Sequence, residues 1–483
     1  MTAADVATYE LCVVGAGIAG LNAVVVAADY LSRSDRVMLV DPRPRAGGMW
    51  VDTYDYVRLH QPHPIFTAGN IPWTLREKPS HLASKPEVLD HFQHCLDVAR
   101  QRLDLDARFG WSYVADREGD GFAEVTLRAP DGRTEVVRAK RLVKAFGHRI
   151  VPNAPLPLSA GNVRSTTPEL LDLPALAADD APVWIIGGGK TAIDTAHHII
   201  TALPARSVNM VVGPGTFFAR RETFFPAGMK RWWAGTSITA ALRNMACRYD
   251  GTNEAEVRDW FCSTYGLTPT GEAEHFLSAY LSDAEDAVVR AGLHEVERGY
   301  LADAVEHGDG ATLTFRGGRT RDVPAGTWIV NCTGSLHRTD HPYEPYVSPG
   351  ATTLSIQMRS SAVGPFSSFA GYYLTHLLFL GRLRDSGLYE LDVDELKRKD
   401  SNSVIYASAS LVMHNFSLLI TTVPKKVLLD CGLDFDRWYP MHRRVVGTAT
   451  IVRNRVADLE HHRRTLATVR DRFDVRCGPL AVS

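Results

Sequence analysis

Two short stretches, "LCVVGAGIAGLNAV" at residues 11–24 and "VWIIGGGKTAIDTA" at residues 183–196, restrict what this chain can become. Each is an apolar strand, a glycine-rich turn and the start of a helix. That sequence of elements aims backbone N–H groups and the positive end of a helix at a pyrophosphate. In the first stretch Gly15, Gly17 and Gly20 complete GxGxxG, and the next apolar strand, "RVMLVD", ends in Asp41, 21 positions after Gly20. An acid at that place accepts hydrogen bonds from an adenosine ribose. Gly15 permits the turn, Gly17 admits the pyrophosphate to the backbone, and Gly20 lets helix and strand close on each other. The alternative, a tight turn with no ligand, needs neither the following helix nor the acid.

In the second stretch Gly187, Gly189 and Ala192 give GxGxxA, the helix continues to about Ile200, and the next strand, "SVNMVVG", ends at Gly213 with no acid. Arg220 and Arg221 follow soon after. A carboxylate there would serve an unmodified ribose and repel a 2′-phosphate, so its absence beside two arginines favours NADP over NAD. The competing reading is a pair of surface arginines on a loop.

A chain of 483 residues is too long for one ordinary core, so two or three folded units are expected. Its 53 basic and 55 acidic residues nearly cancel, which leaves no overall field to draw it to nucleic acid or to a membrane. Small-molecule chemistry becomes the default. The start, "MTAADVATYELCVVG", has no basic region followed by an apolar core, so no signal peptide is read. The most apolar late stretch, Ala407 to Thr422, is interrupted by His414, Asn415 and serines, and reads as a buried helix rather than a transmembrane span. The seven cysteines (Cys12, Cys95, Cys247, Cys262, Cys332, Cys431, Cys477) form no CxxC or CxxxxC pair. An odd, scattered set suits a reducing cytoplasm and offers no redox-active pair to take electrons. No metal site is expected.

Residues 112–147 alternate polar and apolar around an Asp-Gly turn, as antiparallel strands do, and 295–330 repeat the pattern with "GDG" and "GG" turns. Residues 151–182, rich in Pro, Ala and Leu, suit a crossing linker. The fold class expected is α/β: two Rossmann-like dinucleotide-binding domains (FAD and NADP) with antiparallel β insertions and a helical C-terminal part.

The motifs "GAGIAG", "DPRPRAGGMW", "YDYVRLHQP", "VKAFGHRIVPNAPLP", "GGGKTAIDTA" and "VNCTG" occur in the order seen in class B flavoprotein monooxygenases. The chain resembles most the flavin-containing and plant auxin-forming branch, with Baeyer–Villiger enzymes as cousins. The resemblance covers about residues 8–380 and has no counterpart for roughly the last hundred. It implies an FAD-binding domain in two parts, 1–165 and 326–384, an inserted NADP-binding domain at 166–325, and a helical region at 385–483. It also answers why there are two turns. One holds a permanent FAD, and the other holds the NADPH that reduces it. In the family the reduced flavin takes O2 to a C4a-(hydro)peroxide, which oxygenates a small organic substrate.

Carried over residue by residue, Arg43, Gly48 and Trp50 run beside the flavin, with an aromatic packed under a loop as the other reading of Trp50. Lys190, Thr191, Thr333 and Gly334 belong to the cofactor motifs. Arg58, Leu59 and His60 match a stretch near the isoalloxazine ring, which makes His60, Gln61 and Arg58 the candidate catalytic residues. Two places depart from the family. Its interdomain fingerprint, FxGxxxHxxxF/Y, falls on Leu158, Ala160, Arg164 and Pro168, and its frequent flavin-side Asn is replaced by Pro62. The aromatic and basic segment 217–250 is either a substrate wall bringing Lys230, Trp232 or Trp233 over the flavin, or an amphipathic helix with its tryptophans inward. Other outcomes for the same cofactors are an NADPH oxidase or reductase, a halogenase relaying hypohalous acid through a lysine such as Lys230, and a non-enzymatic flavin sensor. The last hundred residues roof the pocket or join two subunits of a homodimer.

Overall fold

The structure, a computed structural model, describes residues 6–146, 151–334, 341–430 and 435–480. The apolar run Leu11–Val14 is the middle strand of a five-stranded parallel sheet. Leu142–Lys144 and Arg36–Asp41 flank it, with Thr353–Ser355 and Asp104–Phe109 at the edges. Both of its faces are covered, which is why the sequence there is continuously apolar rather than alternating. The helix Ile18–Ala27 leaves the first glycine turn and is nearly all buried, because the returning chain at residues 367–379 packs on it. A Cβ on Gly371 would lie 2.2 Å from the Ala19 carbonyl oxygen, so this close approach of two backbones requires glycine.

The alternating stretch forms the expected antiparallel layer, Ser112–Glu118, Ala123–Arg128 and Thr134–Ala139. Gly132 supplies the positive φ of +85° at its Asp-Gly turn.

The second unit repeats the first plan. Its parallel sheet runs Leu293–Arg298, Val208–Val212, Val183–Ile186, Trp328–Asn331, Arg164–Thr166, so the strand before the glycine turn is again the middle one. The helix Lys190–Ala202 leaves the turn and packs against Asp283–Gly292. An antiparallel layer, Leu301–His307, Gly310–Phe315 and Thr320–Pro324, lies beside it. The chain is thus α/β with two parallel-sheet dinucleotide folds.

Two strands lie at the boundaries expected from the sequence. Arg164–Thr166 straddles the expected boundary at 165/166, and Trp328–Asn331 lies just inside the part expected at 326–384. Both pair in the second sheet, Val330 opposite Thr166 and Ile329 opposite Trp184. An apolar pattern identifies a strand but not the sheet it joins.

The C-terminal region is helical, with one small antiparallel pair, Tyr389–Leu391 against Cys477–Pro479. Its helix Val404–Thr422 is long and apolar enough to cross a membrane by length and composition. It lies against Ile238–Arg248 and Met441–Phe473, with 67% of its most apolar window buried in protein. Asn415 ties it to the rest of the fold. Its carboxamide accepts from the Tyr389 N–H (2.9 Å) and donates to the carbonyls of Ala362 (2.6 Å) and Tyr389 (2.8 Å).

Candidate active site

Both glycine turns open onto one cavity of about 1660 Å³. A site for one small molecule is usually roughly 300–1,000 Å³, so this one has room for more than one ligand. At the first turn Gly15 has φ +104°, and a Cβ there would meet the Ala145 carbonyl oxygen at 2.5 Å. Gly20 packs still closer, its ideal Cβ falling 1.7 Å from the Gly15 carbonyl oxygen. Gly17 caps the helix Ile18–Ala27, whose first turn carries no acid, and it faces Gly48 across a gap too narrow for a side chain on Gly48. The helix end is therefore free to attract an anion. Asp41 is buried and accepts from the backbone N–H groups of Ala16 (2.7 Å) and Arg43 (2.8 Å), and burial raises its pKa. A carboxylate has about four lone-pair positions, so two remain for a ribose. Arg43 is anchored on Asp52 at 2.6 Å, and Trp50 lines the cavity with its ring 6.1 Å from Phe66.

At the second turn Gly187 has φ +131°, with the Cys332 carbonyl oxygen where a Cβ would be, and Ala192 is fully buried. Gly189 caps the helix Lys190–Ala202 and faces the cavity together with Lys190, Thr191 and Gly334. Thr333 turns away, its hydroxyl donating to Asn331 at 2.6 Å. Lys190 pairs with Asp194, one helical turn on, and Asp194 also accepts from the Tyr54 hydroxyl (3.0 Å). Tyr56 shares a 2.8 Å hydrogen bond with Thr195. The 52–61 segment of the first unit is thereby fastened to the helix of the second.

The two arginines expected at the adenosine end lie elsewhere. Strand Thr216–Arg220 is extended, and five residues at about 3.3 Å each carry Arg220 well away from Gly213. Arg220 pairs with Asp283 (3.2 Å), while Arg221 pairs with Glu285 (2.7 Å) and donates to the His60 carbonyl (2.9 Å). The cation beside the end of Val208–Val212 is Arg298, opposite Val212 in the neighbouring strand and donating to the Pro214 carbonyl at 3.3 Å. It lies 85 residues after Gly213, and only the strand pairing reveals it.

Between the turns, Arg58, His60 and Gln61 line the cavity. Arg58 is exposed and donates to the Leu82 carbonyl at 3.2 Å. His60 meets the Tyr280 ring edge-on at 5.4 Å. It is partly buried in the cavity wall, and that burial, helped by the charges of Lys190 and Arg221, lowers its pKa to about 3. His60 is thus neutral at ordinary pH and offers one donor and one acceptor without charge. The Gln61 Oε1 atom is buried with no donor, so a ligand N–H reaching it would remove an unmet hydrogen bond.

Neither reading of the 217–250 segment holds for its tryptophans. Lys230, Trp232 and Trp233 are exposed and do not line the cavity; the short turn Gly228–Trp232 projects them outward. The flanking residues Phe224, Phe225, Ile238 and Met245 form the wall instead. Lys397, Tyr406, Ser408 and Phe435 close the other side, so the last hundred residues roof the site. No local motif marks them, because folding alone brings them there. Among the described residues the six cysteines are free, and burial pushes the thiols of Cys12, Cys95 and Cys332 up to about 12, 11 and 12.

Two dinucleotide folds sharing one cavity make a two-domain fold that is also seen in solved flavin-dependent monooxygenases. The pyridine nucleotide-disulphide oxidoreductase family matches residues 9–222. Among solved structures, an oxidised steroid monooxygenase bound to NADP superposes with a TM-score of 0.51 at 15% identity, covering 82% of this chain and 92% of that one. The cadaverine monooxygenase of the desferrioxamine pathway of Erwinia amylovora, bound to FAD, gives 0.50 at 11% identity over 78% of this chain and 95% of that one. An uncharacterized Mycobacterium tuberculosis protein is 30% identical over 173 residues, which is 33% of this chain and 30% of the relative. The match to such curated relatives therefore spans about a third of their length.

Proposed function

We propose that the chain is an NADPH-dependent FAD monooxygenase acting on a small organic substrate. The observation that carries this reading is the single cavity onto which both glycine turns open. A flavin on the first turn and a nicotinamide on the second would share that one cavity. The backbone N–H groups from Gly15 to Ile18 would hold the FAD pyrophosphate and Asp41 its ribose, with Arg43, Gly48 and Trp50 alongside. Gly189, Lys190 and Thr191 would receive NADPH, Arg298 its 2′-phosphate, and Gly334 lies at the meeting of the two. Bound FAD supplies electron transfer from NADPH and activation of O2, chemistry that side chains lack. The chain's own part is to bind, orient and keep the site dry. Gln61 would take an N–H of the bound ring. His60, neutral and held through its own carbonyl by Arg221, would hydrogen-bond a reacting oxygen without adding charge. Both solved structures named above are monooxygenases, and the absence of a CxxC or CxxxxC pair in the sequence agrees with electrons leaving by oxygen rather than by thiols.

The test is turnover with NADPH under 18O2 over a panel of amines, thioethers and ketones, with products read by mass spectrometry. One 18O atom in an organic product is expected. Stoichiometric H2O2 per NADPH over the whole panel, with no labelled product, would replace the monooxygenase by an NADPH oxidase.

A further inference from the structure

One exposed face takes no part in the site. Trp232 and Trp233 are 44% and 69% exposed, although side chains of this size normally find cover. They are held in place. The Trp232 ring stacks 5.6 Å from His442, and Arg443 donates to the carbonyls of Arg231 (3.2 Å) and Gly235 (2.7 Å). The loop is thereby joined to the start of the helix Met441–Phe473. On that helix Met441, Val445, Val452 and Val456 are each more than half exposed. At about 100° per residue they fall within an arc of roughly 60°, one apolar stripe beside the tryptophans. Charge is equally one-sided. From Met441 to Ala457 the helix carries four arginines and a histidine and no acid, and the loop adds Lys230 and Arg231.

We infer that this face docks on an anionic lipid bilayer surface. Charge decides between occupants. A second copy of the same stripe would set arginine against arginine. Anionic headgroups supply that charge, while adjacent tryptophans, methionine and valines suit the depth just below them and arginine stems lie along the boundary. The net charge of −2 exerts no long-range pull, so the attraction is local, acting within a Debye length of about 8–10 Å. The loop also leads directly from Phe224 and Phe225 to Ile238, all lining the cavity, so the docked face is the outside of the cavity wall.

The full chain is mixed with phosphatidylcholine vesicles containing about a third phosphatidylglycerol, or none, and sedimented at about 50 and 300 mM salt. Partition onto the anionic vesicles is expected, falling at least about tenfold without phosphatidylglycerol and steeply at the higher salt. Replacing Trp232→Ser with Trp233→Ser should cost on the order of tenfold or more in partition with an unchanged melting temperature. Val452→Glu, on the helix stripe, is a second and independent probe with the same expected loss. The inference is overturned if parent and variants partition alike, or if the parent ignores anionic vesicles. It is equally overturned if the parent instead forms a dimer, or captures an acidic peptide, that the same substitutions abolish.

Discussion

Gly17 and Gly48 meet backbone to backbone, and their geometry separates two kinds of test. A Cβ on Gly48 would fall 2.7 Å from the Gly17 Cα at a φ of +53°, so Gly48→Ala strains the fold itself. A Cβ on Gly17 would lie 3.4 Å from the Gly48 Cα at an ordinary φ, so the bulkier Gly17→Val acts mainly on the ligand. Gly17→Val is expected to fold yet purify without FAD, read as flavin absorbance per chain; a stoichiometric flavin would remove the first turn from the cofactor site. For the coenzyme, Arg298→Ala should raise the NADPH Kd by about 10–100-fold, the equivalent of a charge-assisted contact of about 1.5–3 kcal/mol, and leave NADH unchanged. Arg220→Ala should change neither, since that side chain is on Asp283. Equal effects on the two coenzymes would sink the assignment of Arg298. His60→Ala should keep NADPH-driven reduction but raise the share of NADPH recovered as H2O2. With its pKa near 3, His60 should contribute no inflection to that reduction between about pH 5 and 9. Gly15, Gly17 and Asp41 were legible in the sequence because a turn and the strand after it lie within 30 residues and make specific backbone demands. Lys397 and Tyr406 were not, because each reaches the cavity through packing that no local spacing encodes.

At the scale of elements, the helix Val404–Thr422 was readable as buried from polar residues interrupting an apolar run, but not as a strut. Asn415 is what makes it one, meeting the buried Ala362 carbonyl and both part-buried backbone groups of Tyr389. Asn415→Ala leaves those groups unpaired and should destabilise the protein by about 3 kcal/mol, measured by denaturant unfolding. A loss under about 0.5 kcal/mol would mean that water replaces the carboxamide. The strand Thr216–Arg220 teaches the opposite lesson. Two arginines a few residues past a strand end look close to it in sequence, yet the extended backbone between carries Arg220 to Asp283 and Arg221 to the His60 carbonyl. The helix Ile238–Arg248 lies in the 217–250 segment that the sequence leaves open between a substrate wall and an amphipathic helix with its tryptophans inward. Ser237, accepting from the Ala240 N–H, starts it late and leaves the tryptophans in the preceding turn.

At the scale of the whole molecule, five of the described histidines are held far below their ordinary pKa. Burial is the leading cause that lowers His60, His91 and His462 to about 3 and His376 and His414 to about 4. The unfolded chain takes up these protons near pH 6.5 and the folded one does not, so their stability contribution is complete above about pH 6.5 and is lost as pH falls toward 4 and 3. The melting temperature should be level from about pH 7 to 8 and decline below about 6.5, each such histidine adding at most about 1.4 kcal/mol per pH unit. His462→Leu should shallow that decline, because neither ring nitrogen has a protein partner to lose. A slope unchanged by this substitution would assign the acid sensitivity to other groups. A net charge of −2 concealed the basic face entirely, since a sum over the chain carries no information about where acids are missing. The fastening of Tyr54 to Asp194, Tyr56 to Thr195 and Arg221 to the His60 carbonyl has a consequence for modularity. The nucleotide-binding halves look like separable cassettes, each with its own sheet and turn. A graft of residues 164–331 from a relative would nevertheless arrive without the hydroxyl, carboxylate and guanidinium partners that the 52–61 segment expects. Such a chimera would fold in both halves and misalign the donor ring with its acceptor, unless those contacts were transplanted with it.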